Sequence, residues 1–238
     1  TFNSAGKGGS IVLEAGTQRG GVANTGAMLD LQSGARIDLS VLDHVAGSYS
    51  TPGSSAFEGK FTGTLHLRAP RTSTNDGLGI SSLQSTITGA SAVIAEGFKV
   101  YEPAGGVMNI SLRNQIDSDS ISFLGAAGTG NANETNIRTH LLDGAVDSAG
   151  LDSILVVAPG VEIINRTGDR TLGLANNTSV GTTNVEALAS ADWDLSKFRY
   201  GSKSAAGILT LRANGDLVFN NTLSDGFDPI TQGSAQTF

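Results

Sequence analysis

The chain has no cysteine. That excludes disulfide staples, a thiolate nucleophile and any cysteine-ligated metal. Aromatic residues make up only 5% of its 238 residues, with a single tryptophan, so its core must be built from aliphatic side chains. Charged residues are scarce at 16%, and acidic exceed basic to give a net charge of −7. A chain without a basic excess is poorly suited to non-specific nucleic-acid binding, which rests on phosphate neutralisation. No run of about 18 apolar residues is present, so no helical membrane span is expected. No signal peptide is recognisable, and "TFNSAGKGGS" reads like the middle of a repeat. The stretch is expected to be part of a longer polypeptide.

Glycine is abundant instead, at 32 residues, alongside much serine, threonine and asparagine. These residues are weak helix formers and favour turns between short strands. One phrase recurs: "GSIVLEAG" at 9–16, "GTLHLRAP" at 63–70 and "GILTLRANG" at 207–215. "GVMNISLRN" at 106–114 has the same style. Read as strands with period two, the phrases place Ile11, Leu13, Leu65, Leu67, Leu209 and Leu211 on one face. Met108, Ile110 and Leu112 fall on the same face in the fourth phrase. His66, Arg68, Thr210 and Arg212 then point outward. A second phrase follows small-residue corners: "SGARIDLS", "APGVEII" and "ANGDLVFN", with Ile37, Leu39, Val161, Ile163, Leu217 and Phe219 inward.

Short strands, glycine corners and like residues at equivalent places predict an all-β chain. The expected fold is a right-handed parallel β-helix, or β-solenoid, of about 25 residues per coil. Residues 1–238 read as one segment with loop insertions at about 44–60, 126–152 and 176–206. Within the second insertion, "NIRTHLLDGAVD" has the pattern of one short helix.

The chemistry-bearing residues are sparse. His44, His66 and His140 are far apart and none has a metal-ligand spacing. No G-x-S-x-G nucleophile elbow occurs. Carboxylates pair up in "DSDS" (Asp117, Asp119), "DWD" (Asp192, Asp194) and "SDGFD" (Asp225, Asp228). On a strand, Asp117 and Asp119 share a face at about 7 Å, which is permissive for glycoside hydrolysis without being specific to it. Aspartates beside glycine are mainly turn formers. No catalytic, cofactor-binding or metal residue is assigned. Trp193, Phe198 and Tyr200 bunch within the third insertion. They are candidates either to cover that insertion or to contact a sugar or protein. Sequons for glycosylation stand at Asn109, Asn133, Asn165, Asn176, Asn177 and Asn220.

The blocks "ILVVAPGVEII", "ASADWDLSKFRYG" and "GILTLRANGDLVFNNTLSDGF", together covering about 153–228, resemble the filamentous haemagglutinin-like large exoproteins. The resemblance implies a secreted, cell-surface β-helical adhesin exported by two-partner secretion, and hence an outer-membrane secretion partner. It supplies no catalytic residue. The function expected is therefore a structural or adhesive shaft segment whose loops contact host or surface glycan or protein. Two rivals differ in class: a β-helical lyase or glycosidase acting on polysaccharide, and a self-associating extracellular filament or sheath subunit.

Overall fold

The computed structural model describes residues 9–17, 24–39, 63–172, 193–220 and 223–224. In chain order the strands are β1 (Ser10–Glu14), β2 (Arg36–Asp38), β3 (Gly63–Pro70), β4 (Thr86–Thr88), β5 (Ala90–Tyr101) and β6 (Val107–Met108). Three helices follow: α1 (Ile110–Leu124), α2 (Ala132–Leu142) and α3 (Ser148–Ile154). Then come β7 (Leu155–Asn165), β8 (Arg170–Leu172), β9 (Trp193–Asp194), β10 (Arg199–Tyr200) and β11 (Ala205–Ala206). The last strands are β12 (Ile208–Ala213), β13 (Leu217–Phe219) and β14 (Leu223–Ser224).

The main sheet is five-stranded and parallel, in the order β1-β3-β5-β7-β12. Three of the recurrent phrases lie on its strands. Ile11 sits opposite Leu65, Leu13 opposite Leu67 and Glu14 opposite Arg68. Four smaller sheets, β13-β8-β6, β2-β4, β9-β14 and β10-β11, lie apart from it.

The expectation of an all-β right-handed parallel β-helix is overturned. The architecture is mixed α/β: three helices interrupt the strands, the small sheets are separate, and the main sheet curls as a half-barrel. Between β5 and β7 the chain makes no solenoid coil; it passes through all three helices.

Local chemistry explains the difference. In "GVMNISLRN" the apolar spacing of Met108, Ile110 and Leu112 mimics a strand, but the strand ends at Met108. Asn109 then caps α1, its side chain accepting a hydrogen bond from the Leu112 amide. From there the buried positions follow the helical period: Leu112, Ile116, Ser120, Phe123 and Leu124. Asn131 caps α2 and Asp147 caps α3 in the same way. The insertion expected at 126–152 thus holds α2, which takes in 136–142 of the stretch read as a short helix, and most of α3. The insertion expected at 44–60 lies outside the described residues.

Two apolar clusters lie along the aliphatic face of the main sheet. One joins Leu65, Leu67, Val93, Ala95, Leu155 and Val157 to Phe123, Ile137 and Leu141 of the helices. The other joins Val161 and Ile163 to Met108, Ile116, Leu172 and Trp193. Two expectations of burial fail. Leu217 and Phe219 of β13 share rows with the buried Arg170 and Leu172 of β8, yet they are exposed, because β13 is the outer strand of its sheet. Arg68, expected to face solvent, is buried.

Candidate functional site

Alternation along the main-sheet strands sends a second set of residues to the face opposite the aliphatic one. These are Glu14 on β1, His66 and Arg68 on β3, Glu96 and Phe98 on β5, Glu162 on β7, and Arg212 on β12. Glu14 and Arg212 lie on the two edge strands, yet Arg212 Nη2 comes within 3.8 Å of Glu14 Oε1. Only a sheet curled toward this face brings the tips of its edge residues together. The charged side chains therefore fill the concave side of the half-barrel.

Arg68 is the hub. Its Nε donates to Glu96 Oε1 at 3.0 Å, Nη1 to Glu14 Oε1 at 2.6 Å, and Nη2 to Glu162 Oε2 at 2.8 Å. Its guanidinium also lies over the Phe98 ring, 4.0 Å from the centroid, which adds a cation–π contact. The remaining Glu96 oxygen meets His66 Nε2 at 2.7 Å, and the remaining Glu162 oxygen meets Arg212 Nε at 3.0 Å. Glu14 accepts a further bond from the Thr17 hydroxyl.

Burial separates the members. Glu96 is fully buried, and Arg68 and Glu162 are nearly so. Burial alone would lower the basicity of Arg68, but the Glu162 bond and the fields of Glu96 and Glu14 outweigh it and raise its pKa. Burial pushes the Glu14 carboxyl up, while the Thr17 bond and the charges of Arg68 and Arg212 bring it below its ordinary value. Gly160 makes room for the cluster. A Cβ there would stand 2.1 Å from Glu96 Oε1.

Three carboxylates face two guanidiniums and one imidazole, and each oxygen of the buried pair Glu96 and Glu162 is already engaged. General acid–base chemistry needs a carboxyl within reach of substrate. This arrangement locks the concave face instead.

The residues singled out from the sequence are mostly dispersed. Asp117 and Asp119 lie on α1, not on a strand, so they do not share a face. Asp117 accepts from the Tyr200 hydroxyl at 2.8 Å; Asp119 accepts from the Tyr101 hydroxyl and Lys99 Nζ, each at 2.8 Å. Burial and these bonds raise both tyrosine pKa values. Asp194 caps a short 3-10 turn by accepting from the Ser196 amide. Asp192, Asp225, Asp228 and His44 lie outside the described residues. His140 contacts the Ile80 carbonyl.

The ring group does come together, but inward. Trp193 and Tyr200 are each only 2% exposed, and Phe198 stacks on Trp193 with centroids 6.4 Å apart. A shallow apolar depression beside them is lined by Ile116, Val161, Leu195 and Leu209. Among the sequons, Asn109 is the helix cap. Asn133 and Asn165 donate their amides to the Ser122 and Asp169 carbonyls, and Asn220 is exposed. Asn176 and Asn177 lie outside the described residues.

Reading the sequence missed the Glu14–Arg68–Glu96–Glu162 cluster. The available signal was a charged residue on the same face of each of four consecutive sheet strands. Pairing that far apart in sequence is visible only once strand order is known. Among the described residues no group of acidic or histidine side chains is placed to hold a metal. Comparison with protein-family models, with curated proteins and with solved structures found no match.

Proposed function

We propose that this chain is a non-catalytic structural or adhesive segment of a secreted bacterial surface protein of the filamentous haemagglutinin type. In this reading the parent protein leaves the cell through an outer-membrane secretion partner, and surface loops of the segment make contact with glycan or protein. The observation that carries the reading is the closed charge network. The most enzyme-like group of side chains in the described residues is buried and satisfied by its own members, which suits a rigid scaffold better than a reactive cleft. The resemblance of residues 153–228 to the exoproteins supports the extracellular setting.

The test has two arms. Antibodies raised against the segment should label intact cells of the source bacterium; labelling confined to permeabilised cells would overturn the surface role. The purified chain, screened against polysaccharides, should bind without turnover. Degradation that disappears in Glu96→Gln or Glu162→Gln would replace the scaffold by an enzyme.

A further inference from the structure

The two edges of the main sheet are complementary to each other. Among the described residues no strand pairs with the outer side of β1 or of β12. Parallel pairing directs the backbone groups of alternate residues to one neighbour. The Ala15 amide donates to the Arg68 carbonyl, and the Thr64 amide to the Gly9 carbonyl. Odd-numbered residues of β1 therefore bond to β3, and Ser10, Val12 and Glu14 direct their amides and carbonyls outward. At the other edge the Asn214 amide donates to the Asn165 carbonyl. Even-numbered residues of β12 thus bond to β7, and Leu209, Leu211 and Ala213 direct theirs outward. All the strands run parallel, so these two sets of free groups are in phase for one more parallel pairing.

The side chains agree with the backbone. β12 repeats the phrase of β3, the strand on which β1 already lies, with Leu209, Leu211 and Arg212 in the places of Leu65, Leu67 and Arg68. A β1 strand laid on β12 in the same rows sets Ile11 beside Leu209, Leu13 beside Leu211, and Glu14 beside Arg212. The first two pairs continue the aliphatic face, and the third is an ion pair. Val12, 54% exposed, and Arg212, with its side chain 44% exposed, are the groups such a contact would cover.

We propose that two copies of this chain associate head to tail, β12 of each pairing in parallel with β1 of the other. Joining unlike edges gives a ring when the rotation closes and a filament when it does not. Each copy supplies a half-barrel, so two complete the circle. The result is a closed ten-stranded parallel barrel with its two-fold axis along the strands, enclosing both charged clusters. Closure removes the free edges that otherwise invite aggregation. This inference stands on the sheet edges alone and is independent of the surface role proposed above.

The test is the mass of the purified 238-residue chain by light scattering and sedimentation, with hydrogen exchange on the same samples. The wild type should run at two chain masses, with the Leu211 and Ala213 amides protected. Val12→Pro deletes an outward amide and leaves the β1–β3 bonds intact, since proline is tolerated on an edge with its nitrogen facing away. This variant should run at one chain mass, with unchanged circular dichroism and fast exchange at Leu211 and Ala213. A wild type at one chain mass at all concentrations would overturn the proposal. So would an open ladder of larger species, or unprotected Leu211 and Ala213 amides in the wild type. A two-chain species undiminished in Val12→Pro would place the contact elsewhere and also overturn it.

Discussion

Arg68 and Arg212 occupy the same place in the same phrase, Leu-Arg-Ala, on two strands of one sheet, and they end in opposite environments. The Arg68 side chain is 5% exposed and bonds three glutamates; that of Arg212 is 44% exposed and takes one close partner. The phrase determines the face and its neighbours determine burial. β3 has a strand on each side, whereas β12 is an edge. Identical local sequence therefore carries different energetic weight according to position in the sheet.

The strongest way to break this comparison is to remove the hub. Arg68→Ala leaves Glu96 and Glu162 buried without their shared cation. Truncating one partner of a buried ion pair costs about 3–5 kcal/mol. Chemical denaturation of Arg68→Ala against the wild type should show that loss, and a loss below about 1 kcal/mol would mean the cluster is hydrated and not closed.

The aliphatic face offers the same contrast. Leu67 is fully buried and Leu211 only partly so. Leu67→Ala is expected to cost about 2–5 kcal/mol, and Leu211→Ala distinctly less, because the edge site loses fewer contacts. Equal midpoints for the two variants would show that the β12 edge is as well covered as β3.

Gly160→Ala attacks Arg68 indirectly. The new methyl would displace Glu96, which is held by both Arg68 and His66. Overpacking of this kind costs about 1–3 kcal/mol. A crystal structure of the variant should show Glu96 moved away from Arg68; an unmoved Glu96 would show that the backbone yields instead.

How much of this was readable beforehand differs by feature. Positions such as Leu65, Leu67, Val161 and Ile163 are legible as inward because period-two alternation is a local property of a strand. Of the helices only α2 is, through "NIRTHLLDGAVD". Asn109, Asn131 and Asp147 act as caps, but in a chain rich in asparagine and glycine such residues read equally well as turns. α1 is hidden further, because Met108, Ile110 and Leu112 continue a strand pattern into the first turn of the helix. The all-β expectation failed at that stretch. The charged cluster was illegible for another reason. His66, Arg68 and Arg212 face away from the aliphatic side, as alternation predicts. That the outward face curls into a concavity is a property of five strands together, and no single phrase contains it. Trp193 and Tyr200 illustrate the reverse. Their density was legible, but their burial depends on packing against α1 and β7, which local sequence does not reveal.

Acid sharpens the comparison, since Glu14 touches both arginines. Its folded pKa is depressed, so its contribution is complete above the ordinary carboxylate value of 4.5 and is lost as pH falls through the folded value. Thermal midpoints should drop below about pH 4.5, and the drop should be smaller in Glu14→Gln. An acid profile identical in that variant would remove Glu14 from the network's energetics.

The smallest expected effect is the most direct test of what the edge does. Arg212→Ala removes a guanidinium whose side chain is 44% exposed, and Glu162 stays bonded to Arg68 through its other oxygen. A partly solvated pair of this kind contributes about 1 kcal/mol, so the stability of the isolated chain should fall by about that much. The same side chain is assigned to the seam between two copies, where Glu14 of the neighbour stands beside it. Folding and association should therefore separate in this one variant. Denaturation measured at a concentration low enough to keep the chains apart should show only that small loss, while the concentration at which two chains pair should rise. A large folding loss with unchanged pairing would reverse the assignment, making Arg212 part of the buried network and not of the edge.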